Sequence, residues 1–176
     1  NTFYRMPKQD VVAKWRAQAA RADFRFVWKA SRRISHQAKL KPPEAHDSMA
    51  YLWRMAEPLG EQLGPVLIQT PPYLKKDAGL LREFLAATVP PGRAVAFELA
   101  SSSWDDDEID QVLADRGCAR CIADKDDGTA RLVVTAPWVY VRLRKDDYAD
   151  AELAGWVERL RALGAATAWV FFKHED

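Results

Sequence analysis

The sequence predicts a parallel α/β fold, the greater part of a single (β/α) barrel running from a second to an eighth strand. Three observations carry that expectation. Short runs rich in Val, Ile and aromatic residues alternate along the chain with longer stretches of helical period. A parallel neighbour needs a crossover, which right-handed strand–helix–strand units supply, so alternation implies parallel pairing. No Gly-rich phosphate loop follows any of the runs, which takes away the usual mark of an open dinucleotide-binding sheet. Alternation alone still fits an open doubly wound sheet as well as a closed barrel.

In chain order, Thr2–Tyr4 reads as the tail of a strand, and Pro7–Ala22, with Val11, Val12 and Trp15 on one stripe, as the first helix. Strands follow at Phe24–Lys29, Pro65–Gln69, Ala94–Glu98, Cys118–Asp124, Trp138–Arg142 and Thr167–Phe172. Helical periods lie between them: Leu52, Met55, Leu59 and Leu63, then Leu81, Phe84 and Leu85, then Leu153, Trp156, Val157 and Leu160. Asp47, Asp77 and Asp150 stand where N-caps are expected, and Gly164 where a helix ends. The Lys39–Pro43 stretch reads as a long strand-to-helix loop, and Lys125–Pro137 is too short and polar for a full helix.

A chain of 176 residues, 48% hydrophobic, suits one domain with a proper core. A complete eight-stranded barrel usually takes ~250 residues, so the chain is short for that fold. No stretch approaches the ~20 apolar residues of a membrane span, and no signal-peptide pattern is present. Two cysteines fit a reducing, cytoplasmic setting. They form a lone C-x-x-C, but Cys118 and Cys121 on a strand face opposite sides and cannot share a metal.

Net charge is +1 but unevenly spread: residues 1–41 hold 11 Lys/Arg against Asp10 and Asp23, a balance of +9, and the remainder holds 15 basic against 23 acidic residues, a balance of −8. Such asymmetry fits an anionic ligand or nucleic acid, and equally a basic outer helix beside acidic ones.

Strand alternation gives the sharper signal. If Phe24, Phe26 and Trp28 meet the helices, Lys29 points with Val27 to the barrel axis. The same reasoning groups Gln69 with Leu67, Glu98 with Ala94 and Ala96, Asp124 with Ile122, Arg142 with Tyr140, and Lys173 with Phe171. Each inward row ends on a polar group, and in a barrel these groups converge at the C-terminal mouth, where active sites of this architecture sit. Ionisable groups crowded there have pKa values open to shifts, so Lys29, Glu98 and Asp124 are the candidate acid/base residues. The bland alternative is that Lys29–Glu98 or Arg142–Asp124 are ion pairs plugging the barrel top.

Asn1-Thr2-Phe3-Tyr4-Arg5, Phe24-Arg25-Phe26-Val27-Trp28-Lys29-Ala30 with Ile34-Ser35-His36, and Leu63-Gly64-Pro65-Val66-Leu67-Ile68-Gln69-Thr70-Pro71-Pro72 occur in order along the chain. Phe97-Glu98 with Ser103-Trp104, Ile122-Ala123-Asp124, Val139-Tyr140-Val141-Arg142-Leu143 and Val170-Phe171-Phe172-Lys173-His174 follow. Together they resemble the YecE-like family, domain of unknown function 72, over essentially the whole chain. The resemblance implies a TIM-type barrel whose family pattern has a further strand and helix before the position of Asn1 and a helix after that of Asp176. It carries no settled activity. By family position the pocket gathers Tyr4, Arg5, Lys29, Arg33, His36, Gln69, Glu98, Trp104, Asp124, Arg142 and Lys173.

Three functions compete. The lead is an enzyme acting on a small anionic substrate, such as a phosphorylated sugar, with Tyr4, Arg5, Arg33, His36, Gln69, Trp104, Arg142 and Lys173 binding it. Arg5, Arg33, Arg142 and Arg144 offer guanidinium forks for phosphate or carboxylate. A nucleic-acid binder or processing enzyme is second, with Tyr4 and Trp104 as stacking platforms. A non-catalytic, metabolite-binding barrel is third. His36, His174, Glu98 and Asp124 are of metal-ligating types, but their spacing is not diagnostic, so no metal is assigned and the cofactor stays open.

Overall fold

The computed structural model describes residues 6–173, apart from 20, 22, 127 and 130. The strands β1 (Phe26–Lys29), β2 (Leu63–Gln69), β3 (Val95–Glu98), β4 (Ala119–Lys125), β6 (Trp138–Leu143) and β7 (Thr167–Phe172) pair in that order, all parallel. The two-residue β5 (Gly128–Thr129) folds back antiparallel on β4, which is how the polar stretch after β4 returns without a helix. The helices are α1 (Gln9–Gln18), α2 (Glu44–Ala56), α3 (Ala78–Thr88), α4 (Asp107–Ala114) and α5 (Asp150–Ala162). Every predicted run from Phe24 onward becomes a strand, with ends shifted by one or two residues; Thr2–Tyr4 lies outside the described residues.

Local chemistry sets the helix ends. Asp77 caps α3, its carboxylate accepting from Leu80 N at 2.8 Å, and Asp106 caps α4 through Glu108 N at 2.9 Å. Asp47 and Asp150 are not caps: both lie inside the first turn, where their charge still suits the helix dipole. At the head of α5, Glu152 takes that role, accepting from Ala149 N at 3.0 Å. Gly164 follows α5 at φ 66°, a left-handed turn that glycine adopts without strain.

Side chains divide cleanly between the two faces of the sheet. Trp28, Val66, Ile68, Val95 and Phe97 pack outward with Leu52, Leu81, Phe84 and Leu85 of the helices. Ile122, Val139, Val141 and Leu143 pack outward with Trp156 of α5. The other face gathers Leu67, Ala96, Ala119, Cys121 and Tyr140, with Val27, Trp138, Trp169 and Phe171 against them. Cys118 and Cys121 accordingly fall in different layers, as their spacing predicts.

The sheet is curled around that inner cluster. In a flat sheet β7 and β2 would lie four strand spacings apart, roughly 19 Å at ~4.8 Å each. Yet the Trp169 ring of β7 comes within 3.2 Å of the position a Cβ on Gly64 of β2 would take. Only a half-barrel brings those two strands face to face.

Candidate functional site

Four inner rows end at one place. Lys29 is the last residue of β1, Gln69 of β2 and Glu98 of β3, while Arg142 is the last inward residue of β6. Apolar packing stops at these positions, so the polar ends stand at the rim rather than inside the cluster. Glu98 is 8% exposed, and one carboxylate oxygen accepts from both Gln69 Nε2 at 2.6 Å and Arg142 Nη1. Its backbone carbonyl accepts from Thr70 N at 3.0 Å. The carboxylate is thus fixed from the adjoining strand and from a strand two places away. Small Cys121 and Ala123 on the inner face of β4 leave the space that Arg142 crosses.

Above this bridge opens a cleft of about 400 Å³, lined by Gln69, Glu98, Lys125, Asp126, Arg144 and Lys173. Lys173 is held at the rim by Asp146 at 2.5 Å. Partial burial, with Arg142 and then Arg144 nearby, pushes the Lys29 ammonium below its ordinary pKa, and Glu98 opposes the shift. Beneath the bridge Tyr140 stacks on Phe171 at 4.8 Å. Burial drives the Tyr140 phenol and the Cys121 thiol far above their usual pKa values, so both stay protonated.

His36 stands at the edge of this neighbourhood, on a single π-helical turn, Arg33–Gln37. Its Nδ1 shares a hydrogen bond with buried Ser35 Oγ at 3.0 Å, and its backbone oxygen accepts from Tyr73 at 3.1 Å. Burial lowers its pKa, and Arg32 and Lys29 lower it further.

Several expected members lie elsewhere. Asp124 does not share the inward row: it faces α5, where Oδ2 accepts from Tyr148 Oη at 3.0 Å and Trp156 Nε1 at 3.3 Å, with Lys145 Nζ at 3.6 Å. Its role as an acid/base group at the mouth is therefore replaced by one in anchoring α5. Trp104 is fully buried among the outer helices and donates to Leu74 O at 2.8 Å, so it offers no stacking face to a sugar or base. Arg33 is exposed on a separate groove with Gln37, Lys41 and Asp47. Tyr4, Arg5 and His174 lie outside the described residues. Asp124 is turned away from Glu98, and among the described residues no three His, Cys, Asp or Glu side chains group to hold an ion.

Neither expected ion pair forms the plug; the pair that forms is Arg142 with Glu98, and the cleft stays open above it. Lys125 and Asp126 are the lining residues that the sequence did not point to, while Arg144 was expected only as a guanidinium fork. The signal for Lys125 lay in the other parity of its strand, Ala119, Cys121, Ala123 and Lys125, whose small side chains suit a crowded concave face.

Comparison with known proteins gives a consistent picture. The family described as "Protein of unknown function DUF72" matches residues 1–176. UPF0759 protein YecE of Escherichia coli strain K12 is 37% identical over 70 residues, 40% of this chain and 25% of that protein, so the match spans a quarter of the relative's length. A DUF72 family protein of Thermotoga maritima superposes with a TM-score of 0.81 at 21% identity, covering 97% of this chain and 74% of that one. One from Enterococcus faecalis gives 0.82 at 20% identity, with 99% and 80% covered. Among the described residues no helix is long and apolar enough to cross a membrane.

Proposed function

This chain belongs to the DUF72 family of proteins of unknown function, and from that premise we propose that its cleft binds a small anionic ligand on which Lys29 and Glu98 perform acid/base chemistry. The same reading takes the curled sheet as most of a TIM-type (β/α)8 barrel, with the cleft at the strands' C-terminal ends, where such barrels place their sites.

One observation carries the reading. Lys29, Lys125, Arg142, Arg144 and Lys173 gather at one mouth and outnumber its carboxylates Glu98, Asp126 and Asp146. Glu98 neutralises Arg142 and Asp146 neutralises Lys173, which leaves Lys29, Lys125 and Arg144 against Asp126 about the open volume. A guanidinium and an ammonium flanking a cleft suit a phosphate or a carboxylate. A phosphorylated sugar is the substrate class that fits both the charge and the size.

Thermal unfolding with inorganic phosphate and a panel of sugar phosphates tests this. A ligand at a hundredfold its Kd adds about 2.7 kcal/mol, which raises the midpoint by roughly 5–10 °C for a domain of this size. Arg144→Met with Lys125→Met should remove most of that rise, and Arg161→Met, on an exposed pair with Glu158, should not. An equal rise in both variants sinks the proposal.

A further inference from the structure

We propose that Lys29 is an amine nucleophile that condenses with the carbonyl group of a small ligand whose phosphate or carboxylate rests on Arg144 and Lys125. This deepens the anion-site reading and rests on it.

The placement of Lys29 comes first. Its Cα is level with Leu67, one inward step below Gln69, so its stem rises from the apolar floor toward the Gln69–Glu98–Arg142 bridge. Its surroundings favour the neutral amine: partial withdrawal from water acts first, then the guanidinium groups of Arg142 and Arg144, while Glu98 works against them. His36 also faces Lys29 and is itself held toward its neutral form. Lys173 is paired with Asp146 at 2.5 Å. Cys121, another nucleophile of the inner face, is buried with its thiol kept protonated.

The step balances. The nitrogen of Lys29 bonds to the carbonyl carbon, and the oxygen leaves as water with both amine hydrogens, so that C=N replaces C=O. Glu98 carries the proton from nitrogen to the departing oxygen. Arg144 and Lys125 orient the ligand through its anionic end.

Borohydride trapping tests this on the full chain, with pyruvate as the carboxylate probe and dihydroxyacetone phosphate as the phosphate probe. Peptide mass spectrometry should find the reduced adduct on Lys29 in at least one arm, and the arm that labels identifies the anion. Lys29→Arg should abolish it, Glu98→Gln should slow it roughly a hundredfold, and excess inorganic phosphate should suppress Lys29 labelling without affecting surface lysines. The phosphate competition holds even if either variant folds poorly. Adducts spread over surface lysines, or surviving Lys29→Arg, overturn the proposal. Stabilisation by phosphate with no adduct in either arm overturns the amine step alone; no stabilisation and no adduct overturns the anion site with it.

Discussion

Arg142 of β6 donates to the carboxylate of Glu98 on β3, passing over β4, which lies between them. The pair is largely buried, at 18% and 11% side-chain exposure. In that setting each charge depends on the other. Glu98→Ala should destabilise by roughly 2–4 kcal/mol, because it leaves a guanidinium desolvated and unpaired. The double variant Glu98→Leu/Arg142→Leu should be more stable than Glu98→Ala alone. Denaturant unfolding decides, and a double variant less stable than the single one contradicts the bridge.

Asp124 separates fold from site. Asp124→Ala strips Trp156 Nε1 and Tyr148 Oη of their shared acceptor, at a cost of about 1–3 kcal/mol. Since the carboxylate faces α5 and not the cleft, the rise in midpoint on adding phosphate should be the same as in the parent. A selective loss of that rise would return Asp124 to the mouth.

Gly64 is required by the curl of the sheet. A Cβ there would meet Trp169 at 3.2 Å, Val27 at 3.3 Å and Arg25 at 3.4 Å. Gly64→Ala should cost about 1–3 kcal/mol through overpacking. Trp169→Phe should recover part of that loss in the double variant, whereas additive effects would mean that the two residues do not touch.

Acid should weaken the fold through His36. Its pKa lies below the ordinary 6.5 because of burial, Arg32 and Lys29. Between the folded and unfolded values the unfolded chain binds more protons, so stability rises with pH across that window and levels off above about 6.5. Below the folded value the full penalty persists. His36→Asn should flatten the stability profile between pH 5 and 7, checked by urea midpoints across that range; an unaltered slope would mean that other groups carry it.

The order of strands and helices was legible because apolar period and turn residues agree along the chain. The inward rows of β1, β2, β3, β6 and β7 were legible for the same reason: their outward faces are plainly apolar. β4 reverses the pattern. Arg120 and Asp124 face the helix layer, where Arg120 reaches Asp110 at 2.5 Å and Trp104 O at 2.6 Å, while Ala119, Cys121 and Ala123 face inward. Buried polar groups with specific partners on another element defeat any rule that sends polar residues to the mouth. Asp124 was misplaced and Lys125 overlooked for that one reason. Trp104 was misplaced because nothing in Ser103-Trp104 foretells that the indole seeks Leu74 O.

Among the described residues, Trp169 against Gly64 and Tyr140 stacked on Phe171 fill the inside of the curl beneath the Glu98–Arg142 bridge. A ligand of the proposed site would then approach Glu98 from the side where Lys125, Arg144 and Lys173 line the cleft. The anionic end of such a ligand would meet that positive rim first on the way in and last on the way out.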